Sequence, residues 1–139
     1  MKKVFFIFII LMVSLVSYAQ IYTSYKIYGG ANHKEYLGKW ASKYDGESIW
    51  NKYSDYGSKY NSKSIWNKYG DNGSRYGSYS PWNAYSSEPP ILVDEYGRVV
   101  DYLSRGMKAS SKMRNLMEYV FQHFDEVAAD PNAFYDQYF

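Results

Sequence analysis

The apolar positions change rhythm several times along the chain, and each change marks an element. Val4 to Val16 is an almost unbroken apolar run, interrupted only by Ser14. A lead-in from Gln20 to Trp40 follows, in which Ile21, Tyr22, Tyr25, Ile27 and Tyr28 predict a short strand broken by Gly29-Gly30. From Ala41 to Glu88 large aliphatics nearly vanish and rings recur at long intervals. Over 89–104, Ile91 to Asp94 and Arg98 to Leu103 predict two strands of a hairpin around Glu95-Tyr96-Gly97. Two strands alone are marginal, so the hairpin needs a neighbour to pack on. Over 109–139, Met113, Leu116, Met117, Val120, Phe121, Phe124, Val127 and Ala128 fall at steps of three and four. That stripe predicts one amphipathic helix, capped by Ser110 or Ser111, as the main core-former. Asp130-Pro131 ends it and can open a second helix, Pro131 to Tyr138. The pattern as a whole predicts an α+β fold in one small domain over 20–139.

The segment 41–88 carries a repeat with a period of 16 residues. Tyr44, Tyr60 and Tyr76 keep the spacing, as do Trp50, Trp66 and Trp82, and Tyr53, Tyr69 and Tyr85. So do Asn51, Asn67 and Asn83; Ser42, Ser58 and Ser74; and Ser48, Ser64 and Ser80. Lys43, Lys59 and Arg75 hold a positive charge at one place in each unit. A fixed period means one structural unit used repeatedly. Ser-Ile-Trp-Asn occurs at 48–51 and 64–67, and Ser-Pro-Trp-Asn at 80–83. Serine is a good N-cap and proline suits the first helical position. The unit therefore reads as a short helical turn capped by Ser48, Ser64 or Ser80, with Gly70 at a left-handed C-cap. Trp and Tyr three apart then share a face in each unit. Low-complexity disorder is the competing reading, but disordered segments are poor in rings.

Lys2 and Lys3, the apolar run and the small residues at Ser17 and Ala19 together make a secretory signal peptide over 1–19, cleaved after Ala19. The run is shorter than the roughly 20 residues of a spanning helix, so no membrane attachment is expected after cleavage. The formal net charge of +2 belongs to Lys2 and Lys3. Without them the chain is balanced and has no general attraction for nucleic acid. There is no cysteine, so an exported domain must hold together by burial and hydrogen bonds alone. The apolar stock for that is ring-rich: aromatics make up 21% of the chain, and 18 residues are tyrosine.

The words Gly-Ser-Lys-Tyr-Asn-Ser-Lys-Ser-Ile-Trp-Asn-Lys-Tyr-Gly at 57–70, then Pro89-Pro90-Ile91-Leu92-Val93-Asp94 and Gly97, carry a resemblance. The segment Leu37 to Leu103 resembles a group of uncharacterised small exported bacterial proteins. These have tandem Tyr-Ser-x-x-Ser-Ile-Trp-Asn-x-Tyr-Gly units followed by a Pro-Pro-x-Ile-Val-Asp-x-x-Gly hairpin. The resemblance implies bacterial export, to periplasm, cell surface or medium, and no particular activity. Pro81 in place of Ile, and Asn72 where such units often carry Tyr, depart from the pattern without breaking its register.

Candidate chemistry is sparse. His33 beside Glu35 reads as a solvated loop pair, and His123 as a surface residue near Tyr119 and Glu126. No zinc-ligand spacing links them, and no metal or cofactor is expected. Asp94 and Asp101 flank the hairpin turn and could approach as paired carboxylates, or lie on its solvated face. A small secreted hydrolase using Asp94, Asp101 or a histidine is the alternative reading. The preferred reading is a non-catalytic binding or structural module. Its rings would meet cell-wall glycan or another exported protein, with no nucleic acid involved. The candidate ladder is Tyr44, Tyr60, Tyr76, Trp50, Trp66, Trp82, Tyr53, Tyr69 and Tyr85. Tyrosine tolerates a wet hydroxyl end, so the Trp series is expected inward and the Tyr44 series outward.

Overall fold

The computed structural model describes residues 24–139; the segment 1–19 read above as a signal peptide, and Ile21 and Tyr22 of the expected first strand, lie outside them. The fold is α+β. Strands β1 (Tyr25–Gly29), β2 (Glu35–Trp40), β3 (Ile91–Val93) and β4 (Val99–Tyr102) form an antiparallel sheet in the order β2-β1-β3-β4. Strand β2 is an addition to the elements that the sequence pattern predicts, because its residues carry no clean alternation. β1 supplies the neighbour that the hairpin of β3 and β4 requires. Three helices close the chain: α1 (Ser111–Gln122), α2 (Phe124–Ala129) and α3 (Pro131–Tyr138).

The single long helix expected from the stripe is in fact two. The chain leaves helical geometry at His123, where φ is −116° and ψ is 26°. The break re-aims the apolar stripe along the tryptophans of the repeat. Phe121 stacks on Trp82, Phe124 meets Trp82 edge-on at 5.3 Å, and Phe134 stacks on Trp50 at 5.4 Å. Ser110 caps α1 by accepting from the Met113 amide, and Asp130 caps α3 by accepting from Ala133, with Pro131 in the first turn.

The repeat is a chain of fused β-turns, not of helical turns. The carbonyl of Ser42 accepts from the Asp45 amide, Asp45 from Ser48, Ser48 from Asn51 and Asn51 from Ser54. Each turn's last residue is the next turn's first. Ser54 then accepts from both Gly57 and Ser58, and the series restarts at Ser58. Four steps of three residues and one of four complete each of the first two 16-residue units, and the third ends after its four steps of three. The pattern recurs through Gly70 to Gly73 and Ser74, and on to Ser86.

Side-chain chemistry dictates this choice. Every corner residue is Ser, Asn, Asp or Gly. At most corners the side-chain oxygen accepts from the amide two residues on: Ser48 from Trp50, Asn51 from Tyr53, Ser64 from Trp66, Asn67 from Tyr69. Such Asx and Ser turns compete with the helix for the same backbone donors. Ser48, Ser64 and Ser80 do precede a turn, but the turn stops after one step. Pro81 takes the second place of the turn from Ser80 to Asn83, where its fixed φ fits. Gly70 is not left-handed; it is a corner whose carbonyl accepts twice. Glycine is required instead at Gly57 and Gly73. A Cβ there would lie 1.8 Å from the Asn51 carbonyl oxygen and 2.0 Å from that of Asn67.

Successive coils stack through tryptophan. The Trp66 indole Nε1 donates to the Ile49 carbonyl at 2.6 Å, and Trp82 Nε1 to the Ile65 carbonyl at 2.6 Å. The rings form a column with centroids 5.6 Å and 5.5 Å apart. Asn51, Asn67 and Asn83 each donate to the carbonyl six residues back, bracing every coil in the same way.

Two rows of contacts lock this array to the rest of the fold. Position 56 of the first unit and its equivalents face the sheet side: Tyr56 meets Tyr36, Asn72 donates to Glu35, and Glu88 accepts from the Asn32 amide. β2 therefore runs antiparallel to the coil axis. It is fastened at the first unit by Lys39, whose amide donates to Glu47 and whose carbonyl accepts from Ile49. Gly38, at φ +92°, permits the close approach: a Cβ would sit 2.5 Å from that of Tyr56. The helices run along the Trp column in the opposite chain sense to the repeat, α3 at Trp50 and the end of α1 at Trp82. Ile27, Leu37, Ile49, Ile65, Leu92, Leu103, Met117 and Val120 join the three tryptophans in one buried cluster.

Candidate functional site

The ring ladder divides by residue type. Trp50, Trp66 and Trp82 are 0–1% exposed, whereas Tyr44, Tyr53, Tyr60, Tyr69, Tyr76 and Tyr85 are 79–96% exposed. Each ring occupies the third place of a fused turn, and the turn's direction decides whether it meets the helices or solvent. Tyr44, Tyr60 and Tyr76 form one outward row, and Tyr53, Tyr69 and Tyr85 a second. Five of the six carry a cation from the preceding residue over the ring: Lys43, Lys52, Lys59, Lys68 and Arg75, at 5.1–5.6 Å from the centroid.

Where the tyrosine rows meet the helices, grooves open. The larger encloses about 620 Å³ between Tyr69 and Tyr76 on the repeat and Phe121 to Glu126 at the corner of α1 and α2. Trp82 and Phe121 lie at its apolar floor, and Lys68, Arg75, Gln122, His123, Asp125 and Glu126 line its polar rim. A smaller groove of about 470 Å³ lies between Ser42, Lys43 and Tyr44 and the residues Tyr135, Asp136 and Phe139. Ser42-Lys43-Tyr44 and Ser74-Arg75-Tyr76 are the same unit positions two periods apart.

Ion pairs tie the basic residues of the repeat to the helices. Lys43 pairs with Asp136, Lys52 with Asp130 at 3.6 Å, and Lys68 with Asp125 at 3.1 Å. The Asp136 and Asp125 carboxylates hold the Lys43 and Lys68 ammonium groups above their usual pKa, chiefly through those hydrogen bonds. The Lys52 amide also donates to the Asn132 side chain. Arg105 seals the far end: its amide donates to the Pro81 carbonyl, and its guanidinium lies 3.7 Å from the Phe121 centroid and pairs with Glu118.

The other candidates do not converge. Asp94 accepts from the Tyr96 and Arg98 amides and from Arg98 Nε, and the Arg98 bonds hold its carboxyl below the usual range. Asp101 lies opposite Leu92 and accepts from the Ser110 amide and hydroxyl. Each carboxylate is thus engaged locally rather than paired with the other. His33 is not a solvated partner of Glu35: its Nε2 lies 2.8 Å from the Pro89 carbonyl oxygen, and Glu35 bonds Asn72. His123 packs beside Tyr119 and faces Glu126 at 3.8 Å, on the rim of the larger groove. Among the described residues no group of three or more His, Asp or Glu is placed to hold a metal ion. No described helix is long and apolar enough to cross a membrane. Sequence reasoning identified the tyrosine wall of the groove but missed the helix wall, since nothing local to 121–126 signals which coil it will face. Comparison with known proteins returns no matching family model, no matching curated protein and no matching solved structure.

Proposed function

We propose that the protein is an exported, non-catalytic binding module that holds a glycan in the groove between the tyrosine rows and the helix corner. The observation that carries this reading is the pairing of Tyr69 and Tyr76, 89% and 79% exposed, with a polar rim over an apolar floor. Flat ring faces stack on the C–H faces of sugars. The amide, imidazole and carboxylate groups of Gln122, His123 and Glu126 offer donors and acceptors to hydroxyl groups. A concave site with a few placed polar groups is the usual form of a small-ligand pocket. The rings stand ready without local unfolding, because the turn corners that aim them are bonded to backbone amides.

Sedimentation with insoluble cell-wall glycan tests the proposal. The protein should pellet with the glycan, and the double variant Tyr69→Ala/Tyr76→Ala should remain in solution while keeping its thermal midpoint. Equal pelleting of wild type and double variant would remove the groove as the site.

A further inference from the structure

We infer that the ligand is a linear, uncharged polysaccharide lying parallel to the coil axis, so that one chain crosses both grooves. The inference rests on the glycan reading above and adds direction, length and charge to it. Direction follows from the repeat. Tyr44, Tyr60 and Tyr76 hold the same place in three consecutive coils, and the coils stack in one column through Trp50, Trp66 and Trp82. The two grooves lie at the first and third of these rungs, and Tyr60, 82% exposed, stands at the rung between them. Outward rings at equivalent places in successive stacked coils suit an extended ribbon of equatorially linked sugars, not a coiled or branched one.

Charge follows from the ion pairs. Along the seam, Lys43, Lys52 and Lys68 are each neutralised by a helix carboxylate, Asp136, Asp130 and Asp125. A polyanion would have to displace those carboxylates, while hydroxyl groups can bond to them. The cations also lie against the tyrosine rings, which holds the rings in place. Length follows from multivalency: a ligand reaching a second subsite gains affinity without any new kind of contact.

The experiment titrates cello- and chito-oligosaccharides, from disaccharide to hexasaccharide, into the cleaved protein and into Tyr76→Ala and Tyr44→Ala. Affinity should rise with length. Tyr76→Ala should weaken every oligomer, whereas Tyr44→Ala should weaken only the longer ones, each by about three- to tenfold, the range for one aromatic contact. Binding should change little with salt, because no net charge is exchanged. Equal affinity for short and long oligomers, with Tyr44→Ala silent, would overturn the ladder and leave the single groove standing. No effect of Tyr76→Ala on any oligomer, or no binding at all, would overturn both. Tighter, salt-sensitive binding of polygalacturonate would overturn the neutral-ligand assignment.

Discussion

The indole Nε1 of Trp66 donates to the carbonyl of Ile49 in the preceding coil, at 2.6 Å. Trp82 repeats the bond one coil later, to Ile65. Trp50 belongs to the first coil and has no earlier one to bond; its Nε1 is buried without a partner. It packs instead among Trp40, Phe134 and Phe139. At the other end, the Pro81 carbonyl, the next acceptor in the series, is taken by the Arg105 amide. The array is thus closed at its far end by a hydrogen bond and at its near end by rings.

That asymmetry predicts different costs for one substitution. Trp66→Phe strands the buried Ile49 carbonyl, which should cost about 1–3 kcal/mol beyond the lost packing. Trp50→Phe removes a donor that has no partner, so the hydrogen-bond part of its cost should be absent. Urea unfolding of the two variants checks this. Equal destabilisation would mean that the indole bonds contribute nothing to stacking.

The four-residue step of the coil predicts a strict need for glycine. Gly57→Ala and Gly73→Ala drive a methyl group into a backbone oxygen, and each should lose at least about 1–3 kcal/mol, as overpacked sites do. Gly46 lies in the same array with nothing within 4 Å of its would-be Cβ. Gly46→Ala should be neutral or gain up to about 1 kcal/mol by restricting the unfolded chain. Thermal melts of the three variants separate the positions, and a tolerated Gly57→Ala would contradict the turn geometry.

Acid should weaken the seal at Arg105. The Gln122 amide, and after it the Arg105 guanidinium, hold the Glu118 carboxyl below its usual range. The unfolded chain then binds the proton more readily than the folded one. The stabilisation is complete above the ordinary glutamate pKa of about 4.3 and is lost as pH falls through the depressed folded value. The pair is partly exposed, so the effect should stay below about 1 kcal/mol. Urea midpoints measured from neutral to acid pH should fall less steeply in Glu118→Gln; parallel curves would rule the contribution out.

The proposed export makes a separate prediction. Intact mass of protein recovered outside the cytoplasm should correspond to a chain beginning at Gln20, as cleavage after Ala19 requires. Recovery of the full chain from the membrane fraction would refute cleavage.

Much of this was legible in the sequence because the chemistry is local. The 16-residue period, the alternation of Trp and Tyr, and the polar corners are read directly from residue order. A Ser or Asn oxygen reaches an amide only two residues away, so Ser48 and Asn51 announce a turn by themselves. The hairpin about Gly97 and the caps at Ser110 and Asp130 belong to the same class. The type of turn was less legible, since the same serine caps a helix or closes a β-turn, and the corner at Asn51, three residues on, selects the second.

Only the tertiary structure decided which coil position meets which partner. Tyr56, Asn72 and Glu88 are equivalent in the repeat yet differ in type, because one faces Tyr36, one Glu35 and one the Asn32 amide. β2 exists through its pairing with β1 and its anchorage on Glu47 and Ile49, not through an alternating pattern of its own. The apolar stripe of the C-terminal segment runs unbroken past His123, and the break there follows a Trp column laid down by residues far earlier in the chain. The groove has the same origin. Its tyrosine wall is local and repeats every 16 residues, whereas its helix wall is brought to it by packing across the whole domain.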